Sequence, residues 1–355
     1  MKKAICILLA GILSFGCNAA KGDSAQSQRN TTNRDTLTIA MCGDIMMGTT
    51  YPKTELPANE GRDIFKDVAD VFQKADLSIG NLEGTFLDGG RSTKGNGRYS
   101  FAFRTPTSWA PRLKEAGFDF MSQANNHARD FGEEGINMTE KLLDGLGIKY
   151  AGIKGHPATA IVEKNGVKYG ICAFGQNSYT YKHTDFDLVA RTVSDLRKQC
   201  DILVVTFHGG AEGSSAARLP EGTETYLGEN RGNLRQFAHL CIDNGADVVS
   251  GHGPHVCRAM EVYKGKFIAY SLGNFATPYG MSLSSVCGYA PAVSIRILGD
   301  GTFVDGNIRS CIQQKGQGPR LDNTHAAARE ISRLTQQDFA NSGLKISDTG
   351  VMTKN

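Results

Sequence analysis

Five times along the chain an apolar, strand-like run ends in glycine and polar side chains. The segments are Gly43-Asp44, Gly80-Asn81-Leu82-Glu83-Gly84, Asn125-Asn126-His127-Ala128-Arg129-Asp130, His208-Gly209-Gly210-Ala211-Glu212 and Gly251-His252-Gly253-Pro254-His255. In open α/β sheets, sites form beyond the carboxyl ends of the strands. A fold that keeps these runs as strands therefore gathers Asp, Glu, Asn and His in one region. Each segment alone has a plainer reading: Gly43-Asp44 as a turn, His208 as a core histidine. Asn125-Asn126-His127 resists that reading, because polar groups after an apolar strand are costly unless paired. Four of the eight histidines fall in these segments, while His156, His183, His239 and His325 have no such setting. The conjunction reads as a metal site with oxygen and imidazole ligands and no thiolate, suited to Mn, Fe or Zn rather than Ca or Mg.

Between these runs, strands alternate with helices. Strands are expected at Thr36 to Met41, Ala75 to Gly80, Phe118 to Ser122, Ile202 to Phe207 and Ala246 to Ser250. Helices are expected at Asp63 to Lys74, Ser108 to Ala116, Glu133 to Leu146, Leu188 to Gln199 and Asn230 to Asp243. Gly117 and Gly147 close two of them. Asn165-Gly166 marks a hairpin within Ala160 to Phe174. Later hairpins turn at Lys264-Gly265 and at Gly299-Asp300-Gly301. This order implies an α/β layered fold, with two sheets between helix layers and β-hairpins added late. Residues 36–315 show no repeat or linker and read as one domain. Residues 316–355 read as one amphipathic helix, Thr324 to Ala340, followed by a frayed tail.

The N-terminus sets the cellular expectation. Lys2 and Lys3 precede an apolar run, Ala4 to Phe15, too short to span a bilayer. It reads as a signal segment over residues 1–16. Gly16-Cys17 at its end resembles a bacterial lipoprotein processing site, which would place lipid on Cys17. Residues 17–35 then form a polar tether rich in Ser, Gln and Asn. The expected location is extracytoplasmic and membrane-anchored, at the periplasm or cell surface.

Composition excludes other classes. With 40% apolar and 21% charged residues, the chain is not of the disordered type. A net charge of +3 without a polybasic patch gives no electrostatic support for a nucleic-acid partner. Beyond Cys17, seven cysteines follow, with no C-x-x-C pair. They read as small buried hydrophobes, with one or two disulfides compatible with an oxidising compartment.

Six strings stand in a family order: Gly43-Asp44-Ile45-Met46-Met47-Gly48, Asn81-Leu82-Glu83-Gly84, Ala124-Asn125-Asn126-His127 with Asp130 and Gly132, His208-Gly209-Gly210-Ala211-Glu212, Gly251-His252-Gly253-Pro254-His255-Val256 and Tyr270-Ser271-Leu272-Gly273-Asn274-Phe275. Over about residues 36–280 the chain resembles the CapA family of bacterial capsule, or poly-γ-glutamate, synthesis proteins. That family has a calcineurin-like metallophosphoesterase fold. The resemblance implies a four-layer α-β-β-α sandwich and an extracytoplasmic, membrane-anchored protein.

By position, it implies metal ligation by Asp44, Glu83, Asn126, His208, His252 and His255. It makes His127 the catalytic histidine, with Asp130 orienting it. Asn81 stands beside Glu83, near the metal-bridging position, and with Glu212 is taken as a candidate substrate contact. Arg98, Arg104 and Arg129 are candidates for holding an anionic substrate. Two departures stand out: Met46 occupies the place of a usual metal-binding His, and Gly80-Asn81-Leu82-Glu83 replaces Gly-Asp-x-x-Asp. One or two divalent metals are compatible with what remains.

Three readings follow. The first is a metal-dependent enzyme of an anionic cell-surface polymer or peptide-like substrate. The second is a non-catalytic subunit that holds polymer or organises a polymer synthase. The third is a phosphoesterase.

Overall fold

The computed structural model describes Met1, residues 36–95, Gly97 and residues 100–355. The signal segment, the tether, Cys17 and Arg98 lie outside the described residues. Among the described residues, fifteen strands build the two large sheets. In chain order they are β1 (Leu37–Ile45), β2 (Leu77–Leu82), β3 (Phe120–Ser122), β4 (Lys149–Ala151) and β5 (Thr159–Lys164). Next come β6 (Val167–Gly175), β7 (Ile202–His208), β8 (Val248–His252), β9 (Met260–Tyr263) and β10 (Lys266–Ala269). The last are β11 (Asn274–Ala276), β12 (Ala292–Ile297), β13 (Phe303–Arg309), β14 (Leu344–Ile346) and β15 (Val351–Lys354). The helices are α1 (Ala69–Gln73), α2 (Pro111–Ala116), α3 (Gly132–Leu146), α4 (Phe186–Arg197), α5 (Leu234–Asp243) and α6 (Ala326–Asp338).

The first sheet has the order β14-β15-β13-β12-β1-β2-β3-β4, with β11 paired to the end of β1. The strands β1 to β4 are parallel, and β12 to β15 extend the sheet antiparallel. The second sheet has the order β9-β10-β8-β7-β6-β5, parallel at its centre.

The sheets pack face to face through Ile39, Met41 and Ile79 on one side and Tyr169, Ile171, Val204 and Phe267 on the other. Ala40 and Cys42 point the opposite way, onto Phe72, Leu113 and Leu143 of α1 to α3. Cys172, Leu203 and Val205 pack against Val193 of α4 and Phe237 of α5. Successive side chains leave opposite faces of a strand. Helices cover the outer face of each sheet, so both faces are buried and the central strands read as continuous apolar runs. The result is the four-layer α-β-β-α sandwich, with the late hairpins extending it.

Turn chemistry fixes the hairpins. Asn165 and Gly166 both have positive φ, 55° and 79°, between β5 and β6. Lys264 and Gly265 do the same, at 48° and 79°, between β9 and β10. Two positive-φ residues are what a two-residue turn needs to match the strand twist.

The structure corrects three boundaries. The helix expected over Asp63 to Lys74 is reduced to α1, because Asp67 is held from outside. Its carbonyl accepts from Arg309 and its carboxylate from the Leu321 amide. The helix expected from Asn230 begins at Leu234. Glu229–Gly232 pairs with Glu224–Tyr226 as a small hairpin, and the Asn233 side chain caps the helix through the Gln236 amide at 3.0 Å.

The third correction concerns residues 316–355, which are not a helix with a frayed tail. After α6, β14 and β15 pair with each other, and β15 joins β13. Leu344, Ile346 and Met352 reach the inter-sheet core, as do Ala328 and Ile331 of α6. The described residues from 36 onward belong to one compact unit. The seven described cysteines are unpaired thiols, six of them buried and Cys200 half-buried. Among the described residues no helix is long and apolar enough to cross a membrane.

Candidate metal centre

The site forms where the carboxyl ends of both sheets meet. Asp44 ends β1 in register with Asn81 of β2 and Asn274 of β11. His208 and His252 end the adjacent parallel strands β7 and β8 as direct register partners. Close backbone approach requires the intervening glycines. A Cβ on Gly43 would fall 1.9 Å from the Gly273 carbonyl oxygen, and one on Gly253 would fall 2.6 Å from that of Gly209. Gly253 also has φ +114°.

Asp44, Glu83 and His255 present ligand atoms all within 4.8 Å of one another. Asp44 Oδ2 lies 3.0 Å from His255 Nδ1, and Glu83 Oε1 lies 3.3 Å from His208 Nε2. The Asn81 amide donates to Asp44 Oδ1 at 2.9 Å and to Glu83 Oε2 at 3.1 Å. His252 Nδ1 stands 3.5 Å from Asp44 Oδ1, too far for a good hydrogen bond, and neither of its buried ring nitrogens has a hydrogen-bond partner. The Asn126 Oδ1 atom is buried and equally unpartnered.

The electrostatics follow from this crowding. Burial pushes the Glu83 carboxyl up to about 8, and the Asp44 charge adds to the effect. Burial works the same way on Asp44, yet nearby His252 and the His255 hydrogen bond hold it well below the usual carboxylate range. Burial disfavours a charged His255, but Glu83 and Asp44 overcome this and raise it to about 10. Burial lowers His208 to about 3. Two fully buried carboxylates side by side are costly without a positive partner. These carboxylates, the orphaned His252 nitrogens and the idle Asn126 oxygen fit a divalent cation.

A second group stands beside the first. His127 Nδ1 lies 2.9 Å from Asp130 Oδ2, and Asp130 Oδ2 also accepts from the Phe103 amide at 2.7 Å. The Phe103 ring lies over the imidazole with centroids 4.4 Å apart. Asn125 ties this group to the first, donating to Asn81 Oδ1 at 2.9 Å while accepting from the His127 amide at 3.0 Å. Asn126, His127, Glu212 and His255 line one cavity of about 700 Å³, walled by Phe103, Tyr179, Tyr226 and Arg231.

Three expected substrate contacts are placed elsewhere. Asn81 is fully buried between Asp44 and Glu83 and positions those carboxylates instead. Arg104 is spent on the backbone: its guanidinium donates to the Gly89 carbonyl at 2.6 Å and the Thr50 carbonyl at 3.3 Å, and to the Thr50 hydroxyl. Arg129 pairs with Glu133 at 3.4 Å, over the Tyr179 ring, outside the cavity lining.

Other residues escaped the sequence reading. Lys94 Nζ lies 2.7 Å from Asp130 Oδ1 and 3.0 Å from His127 Nδ1. Gln176 Oε1 lies 3.1 Å from His208 Nδ1. The Asn274 amide donates to the carbonyls of His255, Ser282 and Cys287, which accounts for the asparagine in Leu272-Gly273-Asn274. Arg231 pairs with Glu212 at 2.8 Å.

Residues 38–279 match the model of a family described as bacterial capsule synthesis protein PGA_cap. The PGA biosynthesis protein CapA of Bacillus subtilis is 29% identical over 292 residues, covering 78% of this chain and 72% of that one. The capsule biosynthesis protein CapA of Bacillus anthracis is 26% identical over 298 residues, covering 78% and 68%. A probable polyglutamine synthesis accessory protein of Mycobacterium tuberculosis is 28% identical over 230 residues, covering 58% and 56%. Among solved structures, a phosphatase from Mycoplasma pneumoniae aligns with a TM-score of 0.49 at 15% identity, over 78% of this chain and 94% of that one. The matched span holds all five polar strand ends, and the chain belongs to the bacterial capsule synthesis protein PGA_cap family.

Proposed function

We propose that the protein is a metal-dependent enzyme of capsule-type polymer synthesis, acting on an anionic cell-surface polymer such as poly-γ-glutamate or on its linkage. One observation carries this reading: His127 and His255 line the same cavity, one from the carboxylate-paired group and one from the cation cluster. Asp44, Glu83, His208, His252, His255 and Asn126 would hold a divalent cation, which would supply Lewis-acid polarisation of a carbonyl or phosphoryl oxygen. Mn, Fe or Zn suits that donor set. Asp130 fixes the imidazole orientation, and His127 gives or takes a proton at the reacting bond. Lipidation at Cys17 would hold the protein on the outer side of a membrane, where polymer-synthase subunits are its expected partners.

Met46 favours a second reading, in which the protein holds polymer without turning it over. Its side chain is fully buried and offers no hard ligand at the place where the metallophosphoesterase pattern has a metal-binding histidine. His127→Ala separates the two. The cation-loaded variant is expected to lose about 10²–10⁴-fold in poly-γ-glutamate turnover, the range for general acid–base catalysis. Its cation content should equal that of wild type. A variant that keeps its rate, or a wild type without turnover whose variants still support polymer in cells, moves the reading to the scaffold. Release of a chromogenic leaving group from a phosphodiester, with the polymer untouched, moves it to phosphoester hydrolysis.

A further inference from the structure

Lys94 belongs to none of the polar strand ends, yet its ammonium is placed among the site's reactive groups. The neighbouring Thr93 pins it there: the Thr93 amide donates to the Asp130 carbonyl at 2.9 Å, and its hydroxyl to the Arg129 carbonyl at 2.8 Å. Lys94 therefore rides on the same segment that carries His127 and Asp130. Its side chain is one-quarter exposed and lines the cavity.

An ion pair with Asp130 is the plain reading of this lysine, but two observations go beyond it. Asp130 Oδ2 is served by the Phe103 amide and His127, which leaves Lys94 only Oδ1, reached as an ion pair without hydrogen-bond geometry. Lys94 Nζ also crowds His127 Nδ1 at 3.0 Å, while Asp130 Oδ2 stands 2.9 Å from that same nitrogen. One ring nitrogen cannot accept from the ammonium and donate to the carboxylate together. An anion arriving in the cavity relieves this competition by drawing Nζ toward itself. An ammonium carries three donors, and among the described residues only the contact to His127 Nδ1 has hydrogen-bond geometry, the contact to Asp130 Oδ1 being an ion pair. Arg231, the other lysine or arginine on the described cavity wall, is neutralised by Glu212 at 2.8 Å and Glu229 at 3.1 Å.

We infer that Lys94 is a specificity-determining residue that binds a carboxylate of the substrate beside His127. This rests on the functional reading above, and it narrows the substrate to polymers with a free carboxylate next to the reacting bond. The anchor is a charge-assisted hydrogen bond, stronger than one between neutral groups.

Equilibrium binding of γ-linked triglutamate and of its α-methyl triester tests this on the full chain. Wild type should bind the acid at least about tenfold more tightly than the ester, in keeping with a hydrogen bond to a charged group. Lys94→Met should lose that preference, and Lys94→Arg should keep most of it. Cation content and thermal unfolding of both variants establish that the site is intact. A Lys94→Met protein with the wild-type preference overturns the inference and leaves the functional reading standing. A wild type that binds neither peptide overturns the functional reading and the inference with it. Inorganic phosphate competing as well as the free acid overturns the assignment to a carboxylate.

Discussion

Arg258→Met is expected to cost about 3–5 kcal/mol of folding stability, the range for breaking a buried ion pair from one side. Arg258 is completely buried, and its guanidinium grips Glu224 at both ends, at 2.8 and 2.7 Å. It also donates to the Ala216 carbonyl at 2.9 Å, while Glu224 Oε2 accepts from the Ala211 amide at 2.9 Å. Methionine fills much of the volume but leaves the Glu224 carboxylate without a charge partner. The loss should reach the site as well, because this pair joins the loop bearing Glu212 and Gly213 to the hairpin bearing Tyr226 and Arg231. Urea unfolding at neutral pH checks the value. Replacing Glu224 by Leu in the same chain should recover a large part of it, since an apolar pair needs no desolvated charge. A single-variant loss below about 1 kcal/mol, typical of a solvent-exposed pair, contradicts this account.

Asp44→Asn is expected to lower divalent-cation affinity by more than about 100-fold, beyond the 10–100-fold that outer partners of a metal site cost. Asp44 sits at the centre of the cluster, within reach of Asn81, His252 and His255 and beside Glu83. Its charge is also what helps burial to push Glu83 up to about 8. The amide removes both a hard ligand and that repulsion. It also removes the attraction to His255 that holds Asp44 below the usual carboxylate range, so urea unfolding without added cation establishes that the variant is folded. Calorimetric titration with Mn and Zn measures the affinity, and a loss below about tenfold would place the cation elsewhere.

The two effects differ in how visible they were in the sequence. The cation cluster was legible because each ligand follows an apolar run buried on both faces, so strand and polar end are both marked. The hairpins were legible from Asn165-Gly166 and Lys264-Gly265, whose positive φ values match the turns. Arg258 carried no such mark, since a lone arginine before a short strand looks like a surface charge. Lys94 was hidden for a different reason. It lies in a Gly-, Ser- and Arg-rich stretch without periodicity, fixed by Thr93 to residues some 35 positions away.

Arg104 and Asn81 misled in the opposite direction. Each carries polar atoms suited to a ligand, but tertiary contacts consume them: backbone carbonyls around Arg104, and the carboxylates of Asp44 and Glu83 around Asn81. The C-terminal strands escaped because Leu344-Lys345-Ile346 and Val351-Met352 are too short to mark strands by their apolar pattern. Two strands this short are stable only when added to an existing sheet edge, here that of β13.

The central claim is that the polar ends of strands from both sheets form one cation site. Elemental analysis of the purified protein, with His208→Ala and His252→Ala beside it, tests this most directly. The account predicts one or two equivalents of Mn, Fe or Zn in wild type and loss of metal in both folded variants. A folded wild type that holds no divalent metal, even after incubation with each of these ions and removal of excess, would contradict it.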